Sequence, residues 1–78
     1  MSNTYIAELT QKSRFVSTEL QALVKRIDPD IVSVGYSYTG TTGTEVVTVN
    51  YRNGHAIGVN VTADSLCAIT KDVLRHIA

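Results

Sequence analysis

The sequence predicts an α+β domain with the element order α-β-β-β-α, in which both helices pack on one face of a three-stranded antiparallel sheet. Three observations support this prediction. Apolar residues recur every three or four positions near both ends of the chain, they alternate with polar residues in the middle, and turn-forming residues separate the alternating runs. Because a 78-residue chain has enough residues for one core only, residues 1–78 are expected to form a single domain.

The first segment is predicted to be a helix that ends at Asp28-Pro29, because the residue before a proline is displaced from the helical region. Glu8 and Lys12 stand four residues apart in this helix, in the order that favours an ion pair. Phe15 departs from the inward stripe, and it either widens the buried face or offers an anchor to a partner. The predicted inward stripe consists of Ile6, Leu9, Ser13, Val16, Leu20, Leu23 and Ile27.

The middle of the chain has a period of two, which predicts strands with one buried face. The second strand is expected over residues 45–51 and the third over 56–61, and the glycine- and threonine-rich residues 39–44 are expected to form a turn. In the first strand, the residues expected to point inward are Val32, Val34, Tyr36 and Tyr38.

The alternation also fixes the register of the second hairpin. A two-residue turn at Asn53-Gly54 would place the apolar sets of the two strands on opposite faces of the sheet. A three-residue loop, residues 52–54, places Tyr51 opposite His55 and keeps the apolar sets together. Gly54 then occupies the left-handed position of that loop, so the three-residue loop is predicted.

The last segment is predicted to be a second helix, with Thr62 or Asp64 as its N-cap. Cys67 falls in the first turn, where a helix dipole can activate a thiol, but its neighbours favour a half-buried cysteine that acts as a small apolar residue. The inward stripe of this helix consists of Leu66, Ile69, Val73 and Ile77.

Composition argues against several classes of function. The chain has seven basic and seven acidic residues and no net charge, so a nucleic-acid partner is not expected. It has neither a signal-peptide pattern nor a long apolar run, so a cytoplasmic protein without membrane contact is expected. Cys67 has no second cysteine to pair with, and the sequence indicates no metal and no cofactor. A small domain without these supports often relies on a second subunit, so a homo-oligomer is expected.

No catalytic residue is predicted. His55, Tyr51 and Arg52 are expected to lie close together beside the second turn, and a histidine titrates in the range that acid–base catalysis needs. The sequence supplies no nucleophile and no carboxylate to orient that histidine, which favours an ordinary turn residue over an enzyme.

The sheet face opposite the helices is the predicted partner-binding surface. It carries no charged residue, although the solvated faces of antiparallel sheets usually carry lysine, glutamate or arginine. Two interpretations follow: hydroxyl and amide groups keep such a face hydrated, or the face is an interface with another copy or with a different protein. Together with Phe15, the candidate contact residues are Ser33, Gly35, Ser37, Thr48, Asn50, Gly58 and Asn60, and Val46 and Ala56 are expected beside them.

The stretches that open the second helix and join the first two strands, residues 62–67 and 39–44, contain no lysine, arginine or histidine. The element order is similar to that of double-stranded-RNA-binding domains, which hold RNA through lysines and a histidine in those two places. The alternative hypothesis is therefore a nucleic-acid-binding module that uses other basic residues, either Lys71 and Arg75 on the second helix or a set on the first helix. The set on the first helix is Lys12, Arg14, Lys25 and Arg26. The order is similar also to that of some small phage-encoded inhibitors of host defence. The leading hypothesis is a non-enzymatic accessory or inhibitor protein that binds a protein through the uncharged sheet face or a strand edge.

Overall fold

The computed structural model describes the backbone of residues 3–77 and the side chains of residues 7–77. The strands form one antiparallel sheet with the order β1-β2-β3. The predicted inward position of Ile6 lies outside the described side chains. In chain order the elements are α1 (residues 3–27), β1 (Ile31–Thr39), β2 (Thr44–Tyr51), β3 (Ala56–Asn60) and α2 (Leu66–Ile77). The predicted order α-β-β-β-α is therefore confirmed.

Both helices and one face of the sheet enclose a common core. Because α1, α2 and all three strands contribute to the same buried cluster, the two helices cover the same face of the sheet, as predicted. The buried apolar residues are Val16, Leu20, Val24, Ile31, Val34, Val47, Val49, Val59, Val61, Ile69 and Val73.

Helix α1 changes its winding in the middle. It is α-helical over Asn3–Phe15, π-helical over Val16–Leu20 and α-helical again over Gln21–Ile27. The hydroxyls of Ser17 and Thr18 both donate to the carbonyl oxygen of Arg14, at 3.3 and 2.6 Å. Serine and threonine hydroxyls that bond back to a helix carbonyl in this way bend the helix and loosen its regular pairing.

The π turn makes part of the predicted α1 stripe wrong. Its hydrogen bonds span five residues, so each residue turns through a smaller angle and everything that follows is rotated relative to an α-helix. The buried positions Val16, Leu20 and Val24 are consequently four residues apart. Leu23 and Ile27, predicted to point inward, are 39% and 53% exposed.

A β-bulge corrects the start of β1. Ile31 pairs with Tyr51 and Ser33 with Asn50, so Val32 is an extra residue in the ladder. Ile31 is buried in the core, and Val32, predicted to point inward, is 49% exposed. Beyond the bulge, the predicted alternation of the strand holds.

The second hairpin has the predicted three-residue loop. The backbone N–H of Tyr51 donates to the carbonyl of His55 at 2.8 Å, and the N–H of Gly54 donates to the carbonyl of Tyr51 at 3.1 Å. Gly54 has a φ of 91°, in the left-handed region where glycine avoids the steric cost of a Cβ atom.

The N-cap of α2 is Ser65, so the prediction of Thr62 or Asp64 was wrong. The Ser65 hydroxyl oxygen accepts a hydrogen bond from the N–H of Ala68 at 3.2 Å, which is the N3 position of the helix. Cys67 lies in the first turn as predicted, but its side chain is exposed rather than half-buried.

Candidate protein-interaction face

The sheet register assembles the predicted contact residues into an ordered surface. Each row of that surface crosses all three strands, with one residue from β1, one from β2 and one from β3. None of its residues belongs to the buried core. The three rows, which together are called the uncharged face below, are Ser33–Asn50–Ala56, Gly35–Thr48–Gly58 and Ser37–Val46–Asn60.

Charge is segregated between the two sides of the sheet. Of the seven basic and seven acidic residues of the chain, Glu45 alone lies in a strand of the described structure, and it is buried on the helix side. The other charged residues belong to the helices and the connecting segments. The uncharged face therefore presents hydroxyl, amide, methyl and backbone groups.

The middle row of the uncharged face is flat, because two of its three residues are glycines. A Cβ atom added to Gly35 would meet no heavy atom within 4 Å, and one added to Gly58 would lie 3.5 Å from Cγ1 of Val46. In the first row, the amide nitrogen of Asn50 donates to the hydroxyl of Ser33 at 3.1 Å, which holds both side chains across the strand pair. The surface is thus flat at its centre and polar at one end.

Phe15 is not part of this surface. It lies on α1, which covers the opposite face of the sheet, and its half-buried ring packs against the core. Of the predicted contact residues, the structure brings together the seven from the sheet and separates Phe15 from them.

The predicted neighbours at the second turn are close together, but they form no enclosed site. His55 is exposed, and its backbone carbonyl pairs with Tyr51. The guanidinium of Arg52 donates to the carbonyl of Pro29 at 3.3 Å, and its backbone N–H donates to the carbonyl of Asp30 at 2.8 Å. Arg52 therefore ties the second hairpin to the connection between α1 and β1.

A polar cluster around Glu45 was missed by the sequence reasoning. One carboxylate oxygen, Oε1, accepts hydrogen bonds from the Lys12 ammonium at 2.8 Å and from the Tyr36 hydroxyl at 2.6 Å. The other, Oε2, accepts from the backbone N–H of Ala63 at 2.8 Å. The side chains of Lys12 and Glu45 are only 15% and 7% exposed. This cluster joins α1, two strands and the segment that leads into α2.

The neighbours of Glu45 act on its acidity in opposite directions. Burial raises the pKa of its carboxyl, and the hydrogen bonds from Lys12, Tyr36 and Ala63 outweigh burial, so the net shift of the Glu45 pKa is downward from 4.5. A group with a lowered pKa stabilises the fold above its unfolded-state pKa. That stabilisation is lost as the pH falls through the lower pKa of the folded state.

Asp64 shows the reverse shift. Its Oδ2 atom is buried and has no hydrogen-bond partner within the described residues. The adjacent Asp72 carboxyl, which can share a proton with it, and burial both raise the pKa of Asp64 above 3.8. The stabilisation from protonated Asp64 is complete below pH 3.8 and is lost as the pH rises through its folded-state pKa.

Two signals in the sequence could have revealed the cluster. Glu45 has the same alternation phase as Val47 and Val49, which places a carboxylate on the buried face. A buried carboxylate needs a cation, and Lys12 is in the inward half of α1 rather than paired with Glu8 as predicted. Because Lys12 is bound to Glu45, it is also unavailable to the nucleic-acid surface that the alternative hypothesis requires.

Comparisons with known proteins leave the function to be argued from the geometry. No protein-family model, no curated protein and no solved structure matches the chain. Within residues 3–77, no helix is long and apolar enough to cross a membrane. The same described residues contain no group of three or more histidine, cysteine, aspartate or glutamate side chains arranged to hold a metal ion.

Proposed function

We propose that the chain is a small, non-enzymatic protein-interaction module of the accessory or inhibitor type, and that the uncharged face is its contact surface. The observation that carries this proposal is the three-row register, which collects nine uncharged residues on the side of the sheet without a helix. The cytoplasmic setting expected from the sequence belongs to the same proposal, as does an origin among phage accessory proteins.

The chemistry of the face favours protein contact. Burying an ionised side chain costs several kcal/mol unless a partner neutralises it, and this surface contains none to bury. The hydroxyl and amide groups of Ser37, Thr48 and Asn50 can exchange water for hydrogen bonds with a partner, as in the polar parts of protein interfaces. Its flat centre lets a second flat surface come close.

The area of the uncharged face is too small for it to form a stable interface alone. Three strands about 4.8 Å apart and five residues of about 3.3 Å each give a surface of roughly 250 Å². A stable protein interface covers about 800 Å² on each partner. The uncharged face is therefore the centre of the proposed contact, and neighbouring surface must contribute. The exposed Val32 at the β-bulge, which precedes Ser33 of that face in the chain, is a candidate for this additional surface.

The proposal is tested by adding charge to the centre of the face. The variant Gly35→Lys/Thr48→Lys carries two lysines there, and Ala7→Lys/Ala22→Lys carries the same added charge at exposed positions on α1. Both variants and the unchanged chain are tagged, expressed in the natural host cell and compared by quantitative mass spectrometry of the proteins that copurify. Thermal denaturation checks that each variant is folded.

The expected result is at least one protein that copurifies with the unchanged chain and with the α1 variant but not with Gly35→Lys/Thr48→Lys. The reason is that the two lysines would have to be desolvated without a counter-charge at the interface. A set of partners that is the same for all three chains would contradict the proposal.

A further inference from the structure

The two outer edges of the sheet differ in how well they are protected. On β1, Val32 bulges out of the ladder, and the outward-pointing N–H of Val34 donates to the side-chain oxygen of Gln21 on α1 at 3.0 Å. Bulges and covering side chains are the usual means of preventing another strand from adding to an edge. The five residues of β3, Ala56–Asn60, contain no bulge, no proline and no charged residue.

The hydrogen bonds of the hairpin show which groups β3 presents at its edge. Tyr51 bonds to His55 and Val61 bonds to Glu45 along the β2–β3 ladder. Bonded pairs alternate along an antiparallel ladder, so the odd-numbered residues of β3 point their backbone groups toward β2. The even-numbered residues point theirs outward: Ala56, Gly58 and Asn60. No protein group within the described residues bonds to these outward backbone groups.

We propose that the β3 edge binds the β3 edge of a second copy of this chain, in antiparallel register around Gly58. In that register Gly58 pairs with Gly58 of the second copy, and Ala56 pairs with Asn60. All three outward residues are then used, and the interface contains six backbone hydrogen bonds. A shift of two residues in either direction would leave one of the β3 pairs unmade.

The side chains on both faces are compatible with this pairing. On the helix side, the half-buried Ile57 lies opposite the partner's Val59, which is buried in its own core, so the cross-strand pair is apolar. On the uncharged face, the two copies of Gly58 lie at the two-fold axis that relates the chains. Because glycine has no side chain, nothing blocks their approach there. Since no β3 residue is charged, the two copies bring no like charges together at the edge.

Pairing through β3 would also enlarge the proposed contact surface. The two three-stranded sheets become one six-stranded sheet, and the uncharged faces of both copies join into a surface of roughly 500 Å². That is closer to the area that a stable interface needs. In this respect the inference builds on the proposed function, because the dimer supplies the missing neighbouring surface.

The register is tested by mixing variants of opposite charge. In Ala56→Lys/Asn60→Lys, each lysine faces a lysine of the second copy, and in Ala56→Glu/Asn60→Glu each glutamate faces a glutamate. Mass is measured by light scattering behind a sizing column over a wide concentration range. Each variant alone should be monomeric, and an equimolar mixture should form a 1:1 dimer, whereas the Ala7→Lys/Ala22→Lys control should dimerise like the unchanged chain.

Amide hydrogen exchange supplies a second, independent measurement on the unchanged chain. The N–H of Gly58 points away from its own sheet, so it should be protected at high concentration and exposed on dilution, whereas the N–H of Ile57 should stay protected throughout. An unchanged chain that is monomeric at every concentration, with a fast-exchanging Gly58, would overturn the inference. A dimer that survives both charge variants would overturn it as well.

These results are separable from those of the proposed function. Gly35→Lys/Thr48→Lys changes the centre of the uncharged face and leaves the β3 edge intact, so it should still dimerise. If the unchanged chain is monomeric and Gly35→Lys/Thr48→Lys loses a protein partner, the β3 dimer is refuted and the proposed contact surface is supported. If the chain is a dimer and Gly35→Lys/Thr48→Lys copurifies with the same proteins as the unchanged chain, the proposed contact surface is refuted and the β3 dimer is supported.

Discussion

Replacing Glu45 by glutamine keeps the shape of the side chain and removes its negative charge. All three groups that contact the carboxylate are hydrogen-bond donors: the Lys12 ammonium, the Tyr36 hydroxyl and the Ala63 N–H. A glutamine amide has one acceptor atom and one donor atom, so in either orientation its NH₂ group meets at least one of these donors. Lys12 would at the same time be a nearly buried cation without its counter-ion.

The expected loss of stability in Glu45→Gln follows from the burial of the Lys12–Glu45 ion pair. Breaking a buried ion pair by changing one partner costs about 3–5 kcal/mol. Because Lys12 is 15% exposed and can still bond to an amide oxygen, the expected cost of Glu45→Gln is lower, about 2–3 kcal/mol. A domain of this length is stable by about 4–12 kcal/mol in total. The melting temperature should therefore fall by about 10–20 °C.

The assay is urea denaturation at pH 7 followed by circular dichroism, with Glu19→Gln as the matched control. Glu19 is exposed on α1, so the same chemical change there should alter the free energy of unfolding by less than about 0.5 kcal/mol. The midpoint of Glu45→Gln should fall with an unchanged m-value, since the same surface is exposed on unfolding. If Glu45→Gln costs no more than Glu19→Gln, the cluster contributes nothing to stability and the reasoning is refuted.

Three further predictions concern the loops and the acidic pair. Asp64→Asn should raise the melting temperature at pH 7, because it removes the repulsion from Asp72. This gain should disappear at pH 3.5, and an equal gain at both pH values would contradict the assigned cause. Ala63 has a φ of 63°, so Ala63→Gly should stabilise the fold by about 1 kcal/mol in urea denaturation, and a loss would show that the backbone there is not strained. Gly54→Ala should lower the free energy of unfolding by about 1 kcal/mol, because Gly54 has a φ of 91°. Gly40→Ala, at a glycine without positive φ, should leave it nearly unchanged, and equal losses would refute the backbone argument.

Periodicity was sufficient to predict the sheet, apart from the β-bulge at Val32 that begins β1. The alternation of apolar residues placed Val47 and Val49 inside, and the requirement for a one-sided core selected the three-residue loop that ends at Gly54. The same alternation identified every residue of the uncharged face. These features depend on patterns within a few residues of sequence, which is why they could be read without the structure.

The parts that were mispredicted depend on contacts across the chain or on irregular winding. The hydroxyls of Ser17 and Thr18 accompany a π turn, and no count of apolar residues shows that this turn moves Leu23 to the surface. Likewise, Lys12 and Glu45 are 33 positions apart and meet only because α1 packs on the sheet. Local spacing favoured a pair with Glu8, and tertiary packing selected the more buried partner.

The central claim, that the uncharged face is the surface that meets another protein, is tested most directly by photo-crosslinking in the natural host cell. A photoreactive amino acid is placed at Ser37 or at Asn50, both exposed on that face, and at Ala22, exposed on α1, as the control. The claim predicts crosslinked products of higher mass from positions 37 and 50 and none from position 22. Crosslinks from position 22 alone would place the contact on the helices and contradict the claim.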